Sequence, residues 1–274
     1  MSTSAVHRVG IVGLGKMGHP MARHLARAKF DVTGYDIDAH ARSQAQQSGI
    51  TVAANPRAVA DRSHFVIIVV GFDSEAEAVL LGRDGIAGAG RRGLIVGIAS
   101  TVAPSTVARL ADSGIVLLDM PLTRGEPAAE SGELLVMVGG DAEAFESCKP
   151  ALASFASSIF YLGQLGAGQV GKMVNNLILW SCISANHEGL KLAERLGVDP
   201  ERLRAALLKS SAANWALETR PETMPMPWAE KDLRIVLSEA DHLRLALPLC
   251  GVVTEVVKSV KIERGWPTPA QRET

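Results

Sequence analysis

Gly13-Leu14-Gly15-Lys16-Met17-Gly18 decides the reading of this chain. An apolar run at 9–12 precedes it, and a helical pattern through Met17, Met21 and Leu25 follows it. A strand that turns sharply into a helix leaves backbone N–H groups unpaired and aimed at one spot. That spot suits a pyrophosphate, and the helix dipole adds to the attraction. In this spacing Gly13 makes the tight turn, Gly15 admits phosphates to the backbone, and Gly18 lets helix and strand pack closely. Glycine-rich turns are common, so the flanking strand, the flanking helix and an acid downstream matter as much as the glycines.

That acid is Asp36, which ends a second strand-like run at 30–35 and lies 18 residues after Gly18. A carboxylate there accepts hydrogen bonds from both hydroxyls of an adenosine ribose and repels the extra phosphate of NADP. Ile37 and Asp38 offer no cation to hold that phosphate, which favours NAD over NADP. The competing role for Asp36 is to cap the helix starting near Ala39, for which Asp38 is better placed.

The 274 residues suffice for one large domain or two ordinary ones, and a hydrophobic content of 47% supports a sizeable core. A net charge of −1 argues against nucleic-acid and membrane-surface partners. Cys148, Cys182 and Cys250 lack any paired spacing and read as buried free thiols in a reducing compartment. The histidines show no metal-ligand spacing either, so no metal is expected. The first eight residues lack the apolar segment of a signal peptide. No run approaches the ~20 apolar residues of a membrane span. A soluble, cytoplasmic protein is expected.

Working outward, strand-like runs at 65–70, 94–98, 115–118 and 134–138 alternate with helical stretches at 16–28, 39–48, 75–82, 104–112 and 141–153. Such alternation predicts an α/β fold with a mainly parallel sheet covered on both faces. Ligands then bind beyond the carboxyl ends of the strands, where Gly71-Phe72 and Ser100-Thr101 also fall. After Gly163 the character changes. Residues 164–196 read as one long helix, apolar around most of its circumference, with further helices at 200–209, 229–245 and 248–262. The expected organisation is a Rossmann-type dinucleotide-binding domain at 1–163 and an all-α domain at 164–274. So much apolar helix needs covering, which predicts a homo-oligomer, a dimer or tetramer.

Lys172 lies on the long helix. Residues three and four apart share a helix face, so Lys172, Asn175 and Asn176 project together from an otherwise apolar surface. A desolvated lysine exchanges protons near neutral pH, and asparagines can orient it or a substrate oxygen without adding charge. The alternative is that Lys172 snorkels to the surface while the asparagines cap neighbouring elements.

Several further motifs stand in order along the chain. They are Ser100-Thr101-Val102-Ala103-Pro104, Asp119-Met120-Pro121-Leu122-Thr123-Arg124-Gly125, Gly166-Ala167-Gly168 through Lys172-Met173-Val174-Asn175-Asn176, and Lys231-Asp232-Leu233. With the glycine turn, they make nearly the whole chain resemble the β-hydroxyacid dehydrogenases. That family includes 3-hydroxyisobutyrate dehydrogenase, tartronate semialdehyde reductase and glyoxylate/succinic semialdehyde reductase. The resemblance implies Lys172 as general acid/base, with Asn176 positioning the substrate and Asn175 beside it. It implies Thr123, Arg124 and Gly125 at the substrate acid. Gly13, Leu14, Gly15, Lys16, Met17, Gly18, Asp36, Gly71, Phe72 and Thr101 then fall at the cofactor, with Lys231 at the substrate or cofactor edge. An imine reductase on the same architecture is a rival, as is an NAD-binding protein without turnover. Lys172 argues against the first, because imine reductases usually carry Asp or Tyr there. The Lys172–Asn176 pair argues against the second.

The substrate motif departs from the family's usual Asp-Ala-Pro-Val-Ser-Gly-Gly. Thr123 keeps the serine's hydroxyl, but Arg124 replaces a glycine. A guanidinium there makes bidentate contacts to a carboxylate or sulfonate, or else turns to solvent or pairs with Glu126 or Glu130. The proline-rich stretch between Trp215 and Lys231 is shorter than in relatives. Arg220 within it is either another anion contact or, the favoured reading, a solvated loop residue.

Overall fold

A computed structural model describes residues 6–270. They form two compact units, one running to Lys172 and the other Met173–Ala270.

The first unit is built on one sheet. Strands β1 (Arg8–Val12), β2 (Asp31–Tyr35), β3 (Thr51–Val52), β4 (Phe65–Ile68), β5 (Ile95–Ile98) and β6 (Val116–Asp119) are all parallel, in the order β3-β2-β1-β4-β5-β6. Beyond β6 the sheet turns antiparallel through β8 (Leu134–Gly140). β7 (Leu122–Thr123) pairs with β8 antiparallel and β9 (Ala156–Gly163) pairs with it in parallel. Parallel strands need crossover helices. Here α1 (Gly18–Arg27), α2 (Ala39–Gln47), α3 (Pro56–Arg62), α4 (Asp73–Leu81) and α5 (Pro104–Ala111) supply them, and α6 (Gly125–Ser131) and α7 (Ala142–Leu152) follow.

Side chains alternate across the sheet, which produces two cores. On β4, Phe65 and Ile67 join Ile11, Met21, Leu25 and Phe155 on one face. Val66 and Ile68 join Val59, Leu80, Val96 and Leu110 on the other. Because both faces are covered, the central strands are continuous apolar runs rather than alternating ones.

The long helix α8 (Ala167–Arg195) starts in the first unit and runs on into the second. The second unit adds α9 (Pro200–Leu207), α10 (Trp215–Thr219), α11 (Ala229–His242) and α12 (Pro248–Arg264). Its core gathers Trp180, Leu233, Val236, Val253 and Val257. No described helix is long and apolar enough to cross a membrane.

Three strands and three helices were not expected from the sequence. β3 and β7 have two residues each, too few for any alternation to register. β9 carries Ser157-Ser158 and leaves Phe160, Tyr161 and Leu162 exposed, so it lacks the signature of a buried strand. α3, α6 and α10 are only seven, seven and five residues long. Asn55 and Asn214 cap α3 and α10 through Ala58 N–H and Leu217 N–H.

Candidate active site

The glycine turn has the shape its spacing predicts. Gly13 adopts φ 101°, which L side chains avoid, and its N–H donates to Tyr35 O at 2.8 Å. A Cβ at Gly13 would overlap the Val69 carbonyl oxygen, and one at Gly18 would overlap that of Gly13. A Cβ at Gly15 would meet nothing. Gly15 is therefore not bare for the protein's own packing, and the room above it fits an approaching pyrophosphate. Leu14 is buried, whereas Lys16 is exposed and pairs with Glu126 at 3.3 Å. Met17 packs part-buried on the sheet core.

Asp36 is pinned to this turn. Its Oδ2 accepts from Leu14 N–H at 2.7 Å and its Oδ1 from Asp38 N–H at 2.8 Å. The capping role falls to Asp38, whose side chain accepts from His40 N–H at the start of α2. One cation here escaped the sequence reading. Arg42 lies one turn into α2, and its Nη1 donates to Asp36 O at 2.7 Å and Ile37 O at 3.0 Å. Ile37 and Asp38 themselves carry no positive charge. The signal lay at the helical i+4 position from Asp38.

The loops after β4 and β5 are tied to each other. Gly71 and Phe72 donate their N–H groups to Glu75 Oε2 at 2.8 and 3.2 Å. Val70 N–H donates to Ser100 Oγ at 2.7 Å. Asp73 Oδ2 accepts from Ala103 N–H and Thr106 Oγ1–H at 2.8 and 2.7 Å. Thr101 sits within this cross-tied segment. Asp73 was not singled out in the sequence, because its partners are set by how two loops meet; Glu75 binds N–H groups three and four residues earlier in its own loop.

The 119–125 loop and Lys172 come together. Lys172 is part-buried, and its Nζ donates to Leu122 O at 2.7 Å, one residue before Thr123. Thr123 is buried and donates to Leu135 O at 3.4 Å. Arg124 has φ 77° and Gly125, at the start of α6, φ 76°. The Arg124 guanidinium donates to Glu133 O at 2.9 Å, Ser157 Oγ at 2.9 Å and Ser158 Oγ at 3.2 Å. Glu126 pairs instead with Lys16, and Glu130 with Arg23. All three of these partners of Arg124 are neutral, so they orient the cation without cancelling its charge.

Asp119, at the end of β6, is fully buried. Its Oδ1 accepts from Gly166 N–H and its Oδ2 from Gln169 N–H, both at 2.7 Å. Burial pushes its carboxyl above the ordinary value, while those N–H groups pull the other way. The folded chain then holds the proton more tightly than the unfolded chain. Its contribution to stability should fall as pH rises from the unfolded pKa of about 3.9 through the folded one. Urea unfolding of wild type and Asp119→Asn across that window checks the sign. The wild-type advantage should shrink with rising pH, and a growing advantage would mean that the N–H groups outweigh burial.

In the second unit, Asn175 Nδ2 donates to Asn176 Oδ1 at 3.0 Å. This fixes the Asn176 amide, whose Nδ2 is buried and has no acceptor among the described residues. A buried donor without an acceptor is costly unless a ligand supplies one. Lys231 Nζ lies 5.7 Å from the centre of the Trp228 ring. Arg220 is not the solvated residue expected: its guanidinium lies 5.4 Å over the Trp180 ring, and burial pushes its pKa down while Asp232 pulls the other way. A hollow of about 50 Å³ is lined by Ile183, His187, Leu190, Leu217 and Met226. Its nearest α8 residue is eleven positions past Lys172, ~16 Å at 1.5 Å per residue.

Residues 8–163 match the family model described as the NAD binding domain of 6-phosphogluconate dehydrogenase. Residues 166–266 match that described as NAD-binding of NADP-dependent 3-hydroxyisobutyrate dehydrogenase. An uncharacterized oxidoreductase of Shewanella frigidimarina is 34% identical over 278 residues, covering 95% of each chain. The L-threonate dehydrogenase of Cupriavidus necator is 34% identical, covering 90% of this chain and 88% of the relative. A crystal structure of 3-hydroxyisobutyrate dehydrogenase from Salmonella typhimurium superposes with a TM-score of 0.81 at 29% identity, covering 92% and 93% of the two chains.

Proposed function

The chain belongs to the β-hydroxyacid dehydrogenase family, NAD(P)-dependent oxidoreductases acting on CH–OH, and on that premise we propose that it acts on a small anionic 3-hydroxy acid or its semialdehyde. The observation that carries this reading is the 2.7 Å hydrogen bond from Lys172 Nζ to Leu122 O, which holds the lysine beside Thr123 and the rest of the 119–125 loop. A proton donor and acceptor beside a substrate-binding loop is what interconversion of an alcohol and a carbonyl requires.

A nicotinamide dinucleotide bound at the glycine turn supplies the hydride acceptor or donor. Gly13 to Gly18 hold its pyrophosphate and Asp36 its ribose, with Gly71, Phe72 and Thr101 along its length and Lys231 at its edge. Lys172 takes the hydroxyl proton during oxidation and returns it during reduction. Arg124, Thr123 and Gly125 hold the substrate's carboxylate or sulfonate, and Asn175 and Asn176 orient the reacting oxygen. Asp36 favours NAD over NADP.

A panel of 3-hydroxyisobutyrate, L-threonate and a sulfonated 3-hydroxy acid, each with NAD⁺ and NADP⁺, tests this. Reduction should occur with an acid and be at least ~10-fold more efficient with NAD⁺, a difference of about 1.4 kcal/mol. No reduction with any of them, or equal oxidation of an uncharged alcohol, would contradict it.

Leu192, Leu196, Leu243, Leu249, Val252 and Ile262 stand exposed on the second unit, which supports a homo-oligomer as the working form. A cytoplasmic setting fits the chain's three free thiols, of which Cys148 and Cys250 are buried.

A further inference from the structure

Gln169 is fully buried in the first turn of α8. A buried primary amide brings donors and an acceptor that all need partners. Gln169 Nε2 donates to Ser100 O at 2.8 Å, and its Oε1 accepts from Val102 N–H at 3.3 Å. The side chain therefore pairs with the backbone on both sides of Thr101. Its own N–H donates to Asp119 Oδ2, while Asp119 Oδ1 receives Gly166 N–H just before the helix begins. Three residues on, along the same helix face, Lys172 is fastened to Leu122 O. One helical turn is thus tied to the loop after β5, the end of β6 and β7.

We propose that Gln169 is a positioning residue, anchored by Asp119, that holds the Thr101 loop in register with Lys172. The inference rests on the proposed role of Lys172 in hydride transfer. The Thr101 loop lies on the cofactor side and Lys172 on the proton-transfer side, so the amide sets the spacing between the two halves of the reaction. Leucine fills nearly the same volume but offers nothing to Ser100 O or Val102 N–H. Glutamate keeps an acceptor for Val102 N–H and, when ionised, places a second acceptor oxygen against Ser100 O, so this variant is assayed at the alkaline end of the wild type's active range. Either change leaves the substrate-binding groups in place and loosens the register.

The test compares wild type, Gln169→Leu and Gln169→Glu by kcat, KM, the primary deuterium isotope effect with carbon-deuterated substrate, and amide hydrogen exchange at Val102 without cofactor. In both variants kcat should fall ~30–100-fold, the cost of a misplacement of about 1 Å, with KM within about threefold. The isotope effect should rise as hydride transfer becomes the slow step. Val102 exchange should quicken ~2–10-fold in Gln169→Leu and stay near wild type in Gln169→Glu, if losing one hydrogen bond costs about its usual net worth. Activity that tracks the folded fraction with an unchanged isotope effect would reduce Gln169 to packing and overturn the proposal. Unchanged Val102 exchange in Gln169→Leu would overturn it as well. If Gln169→Leu does not fold, kcat and the isotope effect of Gln169→Glu decide. A wild type inactive on every hydroxy acid would sink the hydride-transfer reading itself, and Val102 exchange would still decide whether the latch exists.

Discussion

Replacing Lys172 by Ala should cut turnover by ~10²–10⁴-fold, the range general acid–base catalysis supplies, and leave NADH affinity within about twofold. The separation follows from where the group sits. Its Nζ bonds to Leu122 O, whereas Asp36 is fastened to the glycine turn by Leu14 N–H. The effect should therefore lie in kcat, with little change in KM, because the lost interaction acts on the transferring proton. Stopped-flow turnover together with NADH fluorescence titration makes the check. Unchanged turnover would remove Lys172 from the chemistry, and a parallel loss of NADH binding would make it a cofactor ligand instead.

The second large effect is a contrast within the glycine turn. Gly13→Ala should destabilise the fold by ~2–6 kcal/mol, combining a conformation that side chains avoid with overlap on the Val69 carbonyl. Gly15→Val should leave stability within ~0.5 kcal/mol, since its added side chain starts in open space. The same variant should weaken NADH binding by at least ~100-fold, because the valine fills the room a pyrophosphate needs. Urea unfolding and NADH titration read the two effects separately. Undiminished NADH affinity in a folded Gly15→Val protein would move the dinucleotide away from this turn.

Much of the first unit was legible because its signals are local. The glycine spacing, the apolar runs of β1, β2, β4, β5, β6 and β8, and the long apolar α8 each announce themselves within a short window. What was missed depends on distant partners. Arg124 is oriented by Ser157 and Ser158, more than thirty residues on, and only the pairing of Leu135 with Ser158 on β9 brings them there. Asp119 read as part of a loop motif, yet its carboxylate binds the start of a helix 47 residues later. Gln169 has no local pattern around it that marks it out, and only the fold brings its amide to bracket Thr101. Arg42 sits one helical turn beyond Asp38 and reaches back to Asp36 O and Ile37 O, so the two residues after Asp36 do not reveal it. Apart from Arg42, whose partners are local, the residue type was visible and its partner was not.

The most direct test of hydride transfer is isotopic. A 3-hydroxy acid that proves active is prepared with deuterium on the carbon bearing the hydroxyl and incubated with the enzyme and NAD⁺. The account predicts deuterium at C4 of the nicotinamide in the NADH formed, on one face of the ring only. Deuterium released to water, or product formed without labelled NADH, would contradict it.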